Sequence, residues 1–106
     1  MGIKAFKIPT FEDWCKSGKK FQTKIGEYTC RIDVFSWYAD GSGATYQIGV
    51  SADGNPLNIY SNTIFKRTIT VKTEEVEKLR DWYNNVTEEM NNNWVKYITD
   101  NYILEV

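Results

Sequence analysis

A chain of 106 residues has room for one domain and no more. Apolar residues make up 42% and aromatic residues 15%, enough to expect a true core in place of disorder. The net charge is −1 and histidine is absent, which excludes His-based triads, HExxH zinc sites and imidazole general bases together.

No apolar run approaches the roughly 18–20 residues that a membrane span requires. The first nine residues alternate Lys with Ile, Ala and Phe, unlike the unbroken apolar stretch of a signal peptide. Phe6 stands where N-myristoylation after Gly2 needs Ser or Thr. A cytoplasmic protein with no membrane partner is the expectation. Cys15 and Cys30 then read as reduced packing residues, and Asn85-Val86-Thr87 as a chance sequon inside a helix.

In chain order, residues 3–8 alternate and suggest a short edge strand ended by Pro9. Thr10 can cap a two-turn helix that places Phe11, Trp14 and Cys15 on one face and stops at Gly18. A strand over 21–25 turns at Gly26-Glu27. Residues 28–38 form the clearest strand, with Tyr28, Cys30, Ile32 and Val34 on one face and Thr29, Arg31, Asp33, Phe35 and Trp37 on the other. Asp40-Gly41-Ser42-Gly43 predicts a hairpin, and 44–51 the return strand with Tyr46, Ile48 and Val50 inward. A second turn falls at 53–56, a short strand at 57–60, a break at Ser61-Asn62 and a further strand over 64–71.

Thr73-Glu74-Glu75 opens a last helix reaching to about residue 100, with Thr73 as capping hydroxyl. Val76, Leu79, Tyr83, Val86, Met90, Trp94 and Ile98 form its apolar stripe. Asn91-Asn92-Asn93, poor in helix propensity, is the place where a kink or break is expected. Residues 102–106 read as a last turn or a terminal strand. The fold class is therefore α+β: a short N-terminal helix, an antiparallel sheet of three to five strands, and a long amphipathic C-terminal helix on one sheet face.

The catalytic inventory is sparse. Two distant cysteines without histidine cannot build a structural zinc site, Gly41-Ser42-Gly43 lies between strands where a phosphate loop cannot form, and no cofactor is implied. Asp33, flanked by Arg31 and Phe35, is the most interesting acid; an exposed cross-strand pair is its ordinary role. Cys15 beside Lys16 is more readily explained by burial with Phe11 and Trp14 than by a depressed thiol pKa.

Phe35 and Trp37 on a polar face admit three explanations: the first helix covers them, a partner docks on them, or bases and sugars stack on them. Charge is also divided. Lys4, Lys7, Lys16, Lys19, Lys20 and Lys24 crowd the N-terminal part, whereas Glu74, Glu75, Glu77, Asp81, Glu88 and Glu89 crowd the last helix. Such a split either pairs internally or orients a charged partner.

The order helix, strands, long helix is similar in topology to double-stranded RNA-binding domains. That family places lysines at the start of its final helix to meet phosphates. Here the start is Thr73-Glu74-Glu75-Val76-Glu77, and the chain is acidic with a pI near 5.4, so double-stranded nucleic acid is disfavoured.

The leading expectation is a small non-enzymatic binding module for a protein partner, an inhibitor or adaptor of the size that phages and mobile elements encode. It would dock through the Phe35/Trp37 face with Arg31 and Asp33, or through the acidic helix at Glu88 and Glu89. Two alternatives stand beside it. One is single-stranded nucleic-acid binding through Phe35, Trp37 and the N-terminal lysines; the other is a small carboxylate enzyme built on Asp33 and a second acid. The apolar stripe also leaves open a helix-mediated homodimer.

Overall fold

The structure, a computed structural model, describes residues 5–52 and 63–100. The elements run α1 (Phe11–Lys16), β1 (Phe21–Ile25), β2 (Tyr28–Trp37), β3 (Gly43–Ser51), β4 (Thr63–Lys72) and α2 (Val76–Asp100). The four strands form an antiparallel meander in the order β1-β2-β3-β4, and the long helix packs on it, giving the α+β class. The expected turn at 53–56, strand at 57–60, break at 61–62 and terminal segment at 102–106 lie outside the described residues.

Alternation determines which side of the sheet is covered. Cys30 and Ile32 on β2 and Tyr46, Ile48 and Val50 on β3 are buried together with Leu79, Tyr83, Met90, Trp94 and Ile98 of α2. Thr10 caps α1 by accepting from Asp13 N at 3.1 Å, and α1 delivers Phe11 and Trp14 into the same core. Trp14 stacks on Tyr83 with ring centroids 4.9 Å apart and meets Tyr46 edge-on at 5.6 Å; its indole N–H donates to Ile32 O at 3.2 Å. Burying a large ring removes on the order of 150–250 Å² from water, a gross gain of roughly 4–6 kcal/mol each. A six-residue helix therefore persists because it carries two rings into the core, not through propensity.

Four expectations are corrected. First, α1 shares the α2 side of the sheet, through Phe11 and Trp14 against Tyr83, so it does not shield the far face. Second, the described part of the presumed edge strand is not a strand: Phe6 N donates to Asn91 Oδ1 at 3.0 Å, and Asn91 Nδ2 donates to Phe6 O at 3.1 Å. Third, α2 runs through Asn91–Asn93 without a break, because the amide of Asn91 is held by that pairing and the flanking Met90 and Trp94 are fully buried. Fourth, Thr73 does not cap α2. Its hydroxyl donates to Gly41 O at 2.9 Å, and Glu75 turns back instead, accepting from Lys72 N at 2.7 Å.

The far face, expected to be polar and solvated, is polar but not open throughout. Thr29, Gln47 and Ser51 are fully buried, and among the described residues the oxygens of Thr29 and Ser51 and both amide atoms of Gln47 have no hydrogen-bond partner.

Candidate functional site

One irregularity in β2 shapes the candidate site. Val34 faces Tyr46 across the ladder, but Ser36 faces Thr45 and Trp37 faces Ala44, so Phe35 is an extra residue. Such a bulge reverses the phase of every side chain beyond it. Trp37 is thereby moved from the far face, where unbroken alternation puts it, to the side of Ala44 and Tyr46. Phe35 and Trp37 do not form one surface, although both are exposed, at 58% and 69%.

The hairpin end is tied to the entry of α2. Asp40 Oδ1 accepts from Ser42 N at 2.9 Å, Gly41 takes a positive φ of 76°, and Thr73 N donates to Ser42 O at 2.9 Å. Gly43 lies flat against β4, where a Cβ would overlap the Val71 carbonyl oxygen. On the opposite side α1 ends in two left-handed residues, Gly18 at φ 85° and Lys19 at φ 58°, with Lys19 N donating to Trp14 O at 2.9 Å. A side chain in that conformation costs roughly 1–2 kcal/mol, offset here by the closing hydrogen bond.

Between these walls opens a cleft of about 360 Å³. Phe11 and Cys15 come from α1, Trp37, Ala44 and Tyr46 from the hairpin, and Val71, Val76 and Leu79 from the β4–α2 junction. Its rim is apolar and open to water, with Trp37 at 69% and Val76 at 49% exposed. Lys19, Lys72, Thr73 and Glu75 supply the polar lining. Both Glu75 oxygens are engaged, Oε1 by Lys72 N and Oε2 by Lys78 Nζ at 3.8 Å, and the backbone bond holds the carboxyl below its ordinary range. Burial raises the Tyr46 phenol and so keeps it neutral. The volume lies at the lower end of ligand-sized sites.

The remaining candidates are dispersed. Arg31 Nη2 donates to Asp33 Oδ2 at 2.9 Å and Val34 N to Asp33 Oδ1 at 2.7 Å, so both carboxylate oxygens are occupied. A shallow hollow beside the pair is lined by Lys20, Phe21 and Gln22, and among the described residues it brings no second acid to Asp33. Glu89 pairs with Arg67 at 2.9 Å. Glu88 is exposed and, like Glu89, lies about 18 Å along the helix axis from Val76. Cys30 is fully buried, its thiol pushed up to about 12; Cys15 is partly exposed in the cleft wall. Among the described residues no cluster of His, Cys, Asp or Glu is placed to hold a metal ion, and no helix is long and apolar enough to cross a membrane.

Sequence reasoning singled out Trp37 but missed Val76, Leu79, Val71 and Lys72 as its neighbours. Only the exposed start of the α2 stripe could have pointed to them. Comparison with protein-family models, with curated proteins and with solved structures gives no match.

Proposed function

We propose that this chain is a small binding module that docks a protein partner, as an inhibitor or adaptor, through the cleft between Trp37 and the first turn of α2. The observation that carries this reading is the coincidence of an apolar cleft with a rim of exposed Trp37 and Val76. Leaving an indole and a valine side chain in water at the mouth of a preformed hollow is unfavourable in the isolated chain. In a complex the same groups become buried anchors, and Trp and Tyr are the residues most enriched at such positions. The acidic stretch of α2 supports docking less well, since Glu89 is already neutralised by Arg67.

The test uses partners captured on the immobilised chain, purified and re-measured in solution. Trp37→Ala and Val76→Asp should each weaken binding by at least tenfold, about 1.4 kcal/mol, whereas charge reversal at Glu88 and Glu89 should leave it within about twofold. The opposite pattern would transfer the docking surface to the acidic helix. Tight, salt-sensitive binding of a single-stranded oligonucleotide, abolished by Trp37→Ala, would replace the protein-partner reading with the nucleic-acid one.

A further inference from the structure

We infer that the segment entering the cleft is a peptide stretch carrying a large apolar side chain with a carboxylate close beside it in sequence. The inference rests on the docking reading above and adds the chemistry of the occupant. The deep walls are apolar: Phe11, Val71 and Leu79, with Ala44 behind. They offer little to a polar group and suit one large side chain. The charge at the mouth is positive on balance, two lysines against Glu75. Lys19 enters from the α1 side and Lys72 from the end of β4, and among the described residues neither ammonium belongs to an ion pair. Glu75 is bound to Lys72 N and to Lys78 and also feels the Lys72 ammonium, so it offsets at most one of the two cleft lysines; Asp40, next to Gly41, is turned onto Ser42 N.

Two ammonium groups over an apolar floor complement an acid placed next to a hydrophobic anchor. Charges at a rim steer and select more than they tighten binding. A nucleic acid can place phosphates on the lysines, but a base pressed into the floor would leave its polar edge atoms facing Phe11, Val71 and Leu79, so a peptide fits better than a nucleic acid.

A library of random linear peptides, each about a dozen residues, displayed against the intact chain tests this directly. Enriched peptides should share a large apolar residue with Asp or Glu within about two positions. A synthetic member should shield Cys15 in the cleft wall from iodoacetamide. Combined Lys19→Glu and Lys72→Glu should weaken it at least tenfold, and replacing its acid with Lys should restore affinity to that double variant. Enriched apolar peptides that shield Cys15 but lack acids and ignore the double variant would overturn the charge assignment and leave the docking reading intact. No enrichment, or enrichment without shielding of Cys15, would overturn both. Oligothymidylate that binds the native chain, shields Cys15 and is lost in the double variant would assign the cleft to nucleic acid.

Discussion

The side-chain amide of Asn91 pairs with both backbone groups of Phe6, accepting from its N–H and donating to its carbonyl across 85 positions of sequence. It does for the N-terminal segment what a neighbouring strand would do, and it anchors Phe6, whose ring meets Trp94 at 4.9 Å. Asn91→Leu leaves the two Phe6 groups unpaired, and the expected loss is about 1–3 kcal/mol in urea unfolding. Asn92→Ala and Asn93→Ala, at exposed positions of the same helix, should instead gain a few tenths through propensity. Equal effects at all three sites would contradict the special role of Asn91.

Burial raises the Tyr83 phenol, and it raises the Cys30 thiol from 9.0 to about 12. In the unfolded chain both ionise at ordinary values, so above pH 9 the unfolded state carries fewer protons than the native one. The stabilising contribution is complete below that pH and is lost as pH rises toward 12. Urea midpoints should fall between pH 8 and pH 11, less steeply in Cys30→Ala. A flat profile would mean that Cys30 ionises in place. A thiol reagent at pH 8 should label Cys15 alone until urea exposes Cys30.

Gln47 is fully buried, and among the described residues neither of its amide atoms has a hydrogen-bond partner, a cost of about 1–3 kcal/mol for unpaired polar groups. Gln47→Met preserves the shape and removes the unpaired atoms. The expected result is a higher melting temperature and a gain on the order of 1 kcal/mol. Destabilisation would show that Gln47 has a partner in solution.

Deleting Phe35 removes the extra residue and leaves Val34, Ser36 and Trp37 alternating opposite Tyr46, Thr45 and Ala44. Trp37 should therefore stay on the Ala44 side, and the cleft rim with it. Retained nuclear Overhauser contacts between the Trp37 indole and Ala44, with an intact sheet and partner binding within about twofold, are the expected signature. Loss of those contacts would show that Phe35 is not the residue the bulge accommodates.

The inward set on β2 and β3 and the α2 stripe were legible because a regular backbone converts sequence spacing into direction: every second residue of a strand, every third or fourth of a helix. Leu79, Tyr83, Met90, Trp94 and Ile98 are buried as their spacing demands. Periodicity says nothing about where regularity fails. The residue types at 34–37 give no sign that Phe35 is the extra one, so alternation alone puts Trp37 on the wrong side, away from the partners of the candidate site. Val76 belongs to the stripe yet is half exposed, because it stands at the open mouth of the cleft. The partners chosen by Asn91 and Thr73 lie 85 and 32 positions away. A polar side chain takes whichever backbone group the packed chain brings within about 3 Å, and that choice exists only once the sheet and both helices have assembled.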